Sequence, residues 1–582
     1  MNDSLEHKRH TLAHLLAAAV IQKYPHSKLT LGPAIDTGFY YDIDFSAGET
    51  PGDADLKGLQ KDMKKLLNKW TEFTHEEVTA DKARETFAGN EFKAELINEI
   101  EARGDTITLY TCGYFTDLCR GGHTDNPSVE IAADAFKLDK IAGAYWRGDE
   151  KNPMLTRIYG LAFDTKDELT EYEQQLEEAK KRDHRKLGKE LGLFSFSELV
   201  GPGLPLWSPK GTVLRNEIDS FVTGLRKDKG YQLVTIPHIA KKALYETSGH
   251  WNKYSGDLFK VRAKEDDEGE EYVLKPMNCP CHTQIFDSVP RSYKEMPQRF
   301  AETTMVYRAE QSGELAGLTR VLSITQDDAH VFCRESQLRE EICSIWDIVD
   351  AFYGKFGFEI KVRLSFHDPK KKDDYLGGDA VWESSESMLK DIAEERGADY
   401  FIEEGEASFY APKLDFMAKD SIGRTHQVAT IQLDRNLPER FDLTCTNENG
   451  EKERVVMIHA AIAGSLERFT AVLIEHLAGN FPLRFAPVQL AVIPVADSHN
   501  DHAEKVAEIL RQKNFRVELD TSNESMGKKI RNAKKMKLPY FIVIGDKEVE
   551  AKTITLESRD TGESILLTIE DALDKLSTEN NM

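Results

Sequence analysis

A chain of 582 residues exceeds what one hydrophobic core serves, and at roughly one domain per 150 residues three or four domains are expected. Its 76 basic and 100 acidic residues leave a formal net charge of −24, which excludes a protein built chiefly to coat nucleic acid and confines any RNA contact to local basic patches. Seven cysteines, Cys112, Cys119, Cys279, Cys281, Cys333, Cys343 and Cys445, are too few for a disulfide framework and point to a reducing, cytosolic compartment. The start lacks a charged and apolar leader, and no run of about 18 apolar residues occurs, so a soluble, unexported protein with no membrane partner is expected.

From Leu5 to Tyr24 apolar residues recur at helical spacing behind Asp3 or Ser4 as N-cap, which predicts an opening helix. Short β-branched and aromatic pieces around Phe39-Tyr40-Tyr41 and Thr106-Ile107-Thr108-Leu109-Tyr110, separated by helical stretches, predict an α+β domain over residues 1–163. Lys166 to Leu191 is dense in Glu, Lys, Arg and Gln with scattered Leu and predicts one long solvated helix, within a linker over 164–195. Residues 196–484 open on Val200-Gly201-Pro202-Gly203-Leu204-Pro205. Their strand-like runs, Tyr272-Val273-Leu274, Phe358 to Val362 and Thr430 to Leu433, alternate with helical patterns and predict a mixed sheet carrying helices. The acidic insert Lys264 to Glu271 reads as a solvated hairpin tip. After Phe481-Pro482 the rhythm strand, helix, strand, helix, strand runs through Val488–Val495, Asp501–Lys513, Arg516–Leu519, Met526–Lys537 and Tyr540–Ile544. It predicts a small α/β domain with a largely parallel sheet over 485–582.

Chemistry concentrates between Met277 and His330. Met277-Asn278-Cys279-Pro280 supplies a soft metal ligand, Tyr307-Arg308-Ala309-Glu310 a phosphate-pairing arginine, and Gln326-Asp327-Asp328-Ala329-His330 carboxylates and an imidazole. No glycine-rich phosphate loop is evident. With His459-Ala460-Ala461-Ile462-Ala463-Gly464-Ser465-Leu466-Glu467-Arg468, the pattern is similar to the catalytic core of the threonyl-tRNA synthetases, a family of class II aminoacyl-tRNA synthetases. The resemblance covers almost the whole chain. It implies a multidomain α+β and α/β protein: an antiparallel-sheet core, an α+β editing domain and an α/β anticodon-binding domain. It places Arg308 on the α-phosphate of ATP, Arg320 and Arg468 toward the γ-phosphate and Glu310 at the adenine, with Mg²⁺ accompanying the nucleotide. His250, in Ser248-Gly249-His250-Trp251, matches a histidine implicated in transfer to tRNA, a structural imidazole being its other reading. Pro237, in Thr235-Ile236-Pro237, resembles class II motif 1 and implies a homodimer, a plain helix-strand turn being the alternative.

Cys279, His330 and His459 offer one thiolate and two imidazoles, a set Zn²⁺ accepts while keeping positions open for substrate. Spacing alone is a weak signal, and Cys281 and His282 compete locally; the surrounding motifs carry the assignment of one Zn²⁺ per subunit. A metal makes sense for threonine, because an apolar pocket separates it from valine by only about a hundredfold, whereas a site that must bind a hydroxyl reaches roughly 10⁴ to 10⁵. The resemblance has Asp328 accept the hydroxyl proton and Met277, Gln326, Tyr410 and Gln432 line the pocket. Three residues depart from the family pattern here: Cys281 stands where glycine is usual, Leu322 where a second arginine follows Arg320, and Ala411 where glycine lies between Tyr410 and Pro412.

Serine keeps the hydroxyl and loses a methyl, a difference of about 1 to 3 kcal/mol, so a second, hydrolytic site is expected. His10 and His14, at i and i+4, share a helix face, and Cys119-Arg120-Gly121-Gly122-His123 returns a thiol and an imidazole, with Asp117 just ahead. Spacing alone favours a zinc set. The resemblance to bacterial editing domains instead implies a metal-free site that positions water and a seryl ester, with His10 as proton acceptor. Gly122 takes the usual place of a proline.

Residues 485–582 resemble the class II anticodon-binding domain. Lys528, Lys529, Arg531, Lys534, Lys535 and Lys537 make one helix basic, and the resemblance points to Asn523, Arg531 and Glu548 for anticodon bases, with Glu557 where arginine is common. The expected activity is ATP-dependent threonine activation, transfer to the terminal ribose of tRNA(Thr) and hydrolysis of mischarged seryl-tRNA(Thr). A non-catalytic RNA-binding paralogue is disfavoured by Arg308 and Arg468, and a prolyl- or seryl-specific enzyme by the Cys279, His330 and His459 set. The resemblance begins at the editing helix, and by it the ubiquitin-like domain that precedes this helix in many bacterial relatives is not expected in this sequence.

Overall fold

The computed structural model describes residues 3–262 and 271–581, so most of the predicted acidic hairpin tip lies outside the described residues. The chain divides into two compact units, residues 1–177 and 178–582.

In the first unit the helix Asp3–Lys23 carries a buried stripe that includes Leu12, Leu15, Leu16 and Ala19, packed with Phe39, Tyr41, Ile43, Leu59 and Met63. Asp3 and Ser4 lie inside this helix rather than ahead of it as caps. The stripe faces an antiparallel sheet built on Gly38–Asp44, Met154–Ala162 and Phe136–Tyr145. A second antiparallel sheet, Thr74–Val78, Ile107–Cys112 and Phe115–Leu118, ends just before Cys119.

The predicted single linker helix is two helices, Lys166–Arg182 and His184–Glu190. The break has a local cause: Asp183 accepts the backbone N–H of Arg185 at 2.8 Å, capping the second helix.

The second unit is organised by eight strands: β1 (Gln232–Leu233), β2 (Gln298–Tyr307), β3 (Ser323–Cys333), β4 (Glu359–Phe366), β5 (Tyr400–Glu404), β6 (Lys413–Lys419), β7 (Thr425–Asp434) and β8 (Val456–Ser465). They pair in the order β1-β2-β3-β8-β7-β6-β4-β5, antiparallel throughout except for a parallel pair at each edge. Alternation sorts the two faces. Ala329, Val331, Ile431, Leu433, Ile458 and Ala460 bury themselves with residues of the helices Pro209–Asp228, Leu338–Gly354 and Leu466–His476. The intervening Asp328, His330, Gln432 and His459 therefore point to the other face. Tyr272–Leu274, expected in this sheet, sits instead in a separate small one between Ile239–Lys241 and Lys260–Val261.

The C-terminal part has the predicted parallel strands Val517–Leu519, Leu490–Pro494 and Tyr540–Ile544. An antiparallel hairpin, Thr553–Ser558 and Ser564–Thr568, extends that sheet beyond the expectation.

Candidate functional site

Sheet register assembles the proposed metal ligands. His330 lies directly opposite His459, which lies opposite Gln432, so all three share one row on the helix-free face. Cys279 begins the helix Cys279–Asp287, and its Sγ comes within 4.8 Å of a ring nitrogen of each histidine. The imidazoles are held from behind: His459 Nε2 meets Asp434 at 2.8 Å and His330 Nδ1 meets His282 Nδ1 at 2.7 Å. Such outer partners fix ring orientation and leave the other nitrogen for a cation. Among the described residues no hydrogen bond joins Cys279, His330 and His459 to one another, and their inward contacts are long, Cys279 Sγ to His250 Nε2 at 3.9 Å and His330 Nε2 to Asp328 at 3.8 Å, an arrangement a tetrahedral Zn²⁺ site with an open position can use. Burial, with Asp328 and Asp434 nearby, pushes the Cys279 thiol well up, so a cation is needed to stabilise its thiolate. The donor set fits zinc. Cys281 and His282 stand outside it, His282 serving as a support for His330.

Around this point Asn278 donates to Asp328 at 3.1 Å and Tyr410 donates to Gln432 at 2.7 Å. His250 is buried, with Nδ1 2.8 Å from Ser248 Oγ and Nε2 3.0 Å from Met277 Sδ. Burial, aided by His459, Arg308 and Arg440, lowers its pKa to about 3, so it stands neutral near pH 7. Ala411 is fully buried without a left-handed backbone, so the glycine expected there is not required.

Beside the triad, a cavity of about 430 Å³ is lined by Arg308, Glu310, Arg320, Gln326, Thr430 and Arg468, among others. Arg320 is held by Glu310 and Glu314, at 2.7 and 3.0 Å, whereas Arg308 and Arg468 have no carboxylate partner among the described residues. Leu322 accepts the Arg308 N–H through its carbonyl and packs its side chain with Leu315 over Gly203. The missing second arginine is thus replaced by an apolar brace.

In the first unit a cavity of about 520 Å³ contains His10, His14, Asp117 and Cys119. His10 Nε2 lies 3.1 Å from His14 Nε2, and Cys119 Sγ lies 3.5 Å from His10 and 3.3 Å from His123. Two residues not singled out from the sequence complete the cluster. The buried Lys93 ammonium sits 2.5 Å from Asp117, and Tyr41 donates to the same carboxylate at 2.5 Å. Burial opposes charging here, yet Asp117 and Cys119 push His14 up to about 9, and the three histidines bring the Cys119 thiol down to about 3. Gly122 has φ +84°, which proline cannot adopt, so that departure comes with a different turn.

The family description of a class II tRNA synthetase core domain (G, H, P, S and T) matches residues 259–477. An anticodon binding domain matches 489–579, and the second additional domain of threonyl and alanyl tRNA synthetases matches 107–159. A threonine–tRNA ligase of Porphyromonas gingivalis is 48% identical over 563 residues, 96% of this chain and 85% of that one. The chain belongs to the threonine–tRNA ligase family. A threonine–tRNA ligase of Synechococcus elongatus is 46% identical, covering 99% of this chain and 95% of its own. Among solved structures, the RNA binding domain of threonyl-tRNA synthetase from Cryptosporidium parvum matches with a TM-score of 0.65 and 37% identity, over 68% of this chain and 98% of that one. This threonine–tRNA ligase family member is therefore an aminoacyl-tRNA ligase with a class II core, an anticodon-binding module and an editing-type module.

At its C-terminal end the basic helix is Met526–Lys535, and most of its cations are already engaged. Lys528 pairs with Glu524, Lys534 with Glu557, Lys529 reaches the Asp520 carbonyl and Lys537 that of Ala478. Arg531 and Lys535 remain exposed without a carboxylate partner among the described residues. Asn523 is exposed in the preceding loop, while Glu548 accepts from Gly545 N–H and Thr555 Oγ1, at 2.9 and 2.7 Å. The described residues contain no helix long and apolar enough to cross a membrane, and all seven cysteines are free thiols.

Proposed function

We propose that the chain activates threonine with ATP, transfers it to the terminal ribose of tRNA(Thr), and hydrolyses seryl-tRNA(Thr) in the first unit. The observation that carries this reading is the convergence of Cys279, His330 and His459 beside an arginine-lined cavity. Zinc held by these three would offer its open positions to the amino and hydroxyl groups of threonine, separating it from valine. Asp328 accepts the hydroxyl proton in a hydrogen bond, and Met277, Gln326, Tyr410 and Gln432 shape the pocket. ATP, with Mg²⁺, fills the cavity: Arg308 stabilises the α-phosphate as the carboxylate attacks, Glu310 holds the adenine end, and Arg468 and Arg320 face the γ-phosphate. Arg320 exchanges its carboxylate partners for phosphate on binding. His250, to which the family resemblance gives a part in transfer to tRNA, must first leave its contacts with Ser248 and Met277 and gain basicity to accept a proton there.

For editing, the charges of His14, Cys119, Lys93 and Asp117 are compensated within the cavity, which supports a metal-free site. His10 takes the proton from water, and Cys119, His14, His123 and Asp117 set its position. Arg531 and Asn523 face solvent and suit anticodon contacts; Glu548, engaged as a helix cap, must exchange its partners to join them. The domain limits that accompany this reading are 1–163, 164–195, 196–484 and 485–582. A second copy of the chain packed along the β1 edge, where Leu233 is exposed, is the proposed homodimer, and the cytoplasm the proposed location. Pyrophosphate exchange tests the activity: threonine alone should support it, and exchange driven by proline or serine, or none, overturns it.

A further inference from the structure

The buried imidazole of His184 joins three stretches of chain that are far apart in sequence. It opens the helix His184–Glu190, and both its backbone N–H and its Nδ1 meet Glu475 Oε1, at 3.0 and 2.7 Å. Glu475 belongs to the helix Leu466–His476, whose first turn carries Arg468. With Nδ1 given to the carboxylate, Nε2 keeps its lone pair, and it accepts the backbone N–H of Leu318 at 3.1 Å. Leu318 is fully buried and lies two residues before Arg320. Next to it, Gly317 has φ +53°, and a Cβ there would stand 2.3 Å from His184 Nε2, so the loop is fitted against the ring with no space between. The second oxygen of Glu475 pairs with Arg424 at 2.6 Å, and Arg424 pairs with Asp420 at 2.7 Å in the turn between β6 and β7. Asp183 is taken by Arg185, and both ring nitrogens of His184 are used, so this cluster keeps no imidazole lone pair for a cation.

Each tied stretch forms a wall of the 430 Å³ cavity: Thr319 and Arg320 from the loop, Arg468 and Val472 from the helix, Gln427 and Thr430 from β7. We propose that His184 is a positioning residue for nucleotide binding, a pin that sets the Arg320 loop against the Arg468 helix from the linker side. This rests on the reading of that cavity as the ATP site. Without the ring the Leu318 N–H is buried with no acceptor, and the loop must shift to satisfy it.

The test is pyrophosphate exchange with threonine and ATP varied separately. His184→Ala should raise the KM for ATP about tenfold, equal to about 1.4 kcal/mol, and leave the KM for threonine within about twofold. His184→Gln, whose side-chain oxygen reaches the Nε2 position, should recover most of that loss. Gly317→Ala should raise the KM for ATP in the parent and do so less in the His184→Ala background, where the ring it strikes is gone. Equal increases in both KM values for His184→Ala, or no change in either, overturn the proposal; should His184→Ala fail to fold, Gly317→Ala decides it by the same selectivity. Arg468→Ala separates the premise: if it leaves the KM for ATP unchanged, the cavity is not the ATP site, whatever His184 does.

Discussion

Replacing Lys93 by methionine removes a buried cation and keeps most of the side-chain volume. The Lys93 and Asp117 side chains are only 3% and 2% exposed and lie 2.5 Å apart. Breaking such a pair costs about 3–5 kcal/mol, because the remaining charge stays buried. Here Asp117 would keep Tyr41 Oη, His14 Nδ1 and the Leu118 N–H, at 2.5, 3.2 and 2.8 Å. Three surviving partners place the loss at the low end, about 3 kcal/mol. At about 2–4 °C per kcal/mol for a unit of this size, the transition that melts residues 1–177 should fall by about 6–12 °C. Adding Asp117→Asn removes the stranded charge and should return at least half of that shift. Calorimetry of the full chain reads the transition, and seryl-tRNA deacylation reads the site, where a loss of about a hundredfold or more is expected once the Asp117–His14 pair is disturbed. Threonine-dependent pyrophosphate exchange should stay within about twofold of the parent. A transition moved by less than about 2 °C, against the 6–12 °C expected, or exchange falling in step with deacylation, would refute the ion-pair reasoning.

Elemental analysis should find one zinc per chain, none after Cys279→Ser and one after Cys119→Ser; a second zinc lost with Cys119 overturns the metal-free editing site. His282→Ala should weaken zinc binding by about 10–100-fold in competition with a chelator, since it leaves His330 without its support. At pH 6 Cys119, with its pKa brought down to about 3, is a thiolate, whereas burial pushes the Cys112 thiol up to about 11. Iodoacetamide should therefore label Cys119 before Cys112 in peptide maps and abolish deacylation but not exchange; first labelling at Cys112 contradicts the ordering. In tRNA-binding titrations against salt, Arg531→Ala should lower the slope by about 1, and Lys534→Ala by less, because Glu557 already neutralises it.

The C-terminal strand-helix rhythm was legible because short apolar runs and amphipathic helices follow one another there with little interruption. The edge hairpin was overlooked although Ile554 and Leu556 alternate with polar neighbours, since its second strand is largely exposed and reads as surface. His10 and His14 announce themselves by i,i+4 spacing. Lys93 does not: it sits in a charged helix, Glu91–Arg103, and only its place among Phe92, Leu96 and Ile97 on the inward stripe marks it as buried. The proposed zinc triad could come only from family resemblance, because the register that sets His330 against His459 is a property of the sheet. Counting lysines likewise overstated the free basic face, as their partners Glu524, Asp520, Glu557 and Ala478 lie outside the helix.

The two histidine- and cysteine-bearing clusters contain nearly the same donors and are wired in opposite ways. In the first unit the donors spend their lone pairs and protons on one another, and Lys93 with Asp117 balances His14 with Cys119 inside the same cavity. A cation entering there would have to displace those hydrogen bonds and would meet an ammonium nearby. In the second unit the short bonds run outward, His459 to Asp434 and His330 to His282, and the inward contacts are long, Cys279 Sγ to His250 Nε2 at 3.9 Å and His330 Nε2 to Asp328 at 3.8 Å. Weakly satisfied buried donors are costly, so on the proposed function a bound cation would complete this cluster and would disrupt the other. On the proposed function, the direction in which the second ring nitrogen points, outward or across the cluster, is the physical feature that would separate a metal-dependent recognition site from a metal-free hydrolytic one on the same chain.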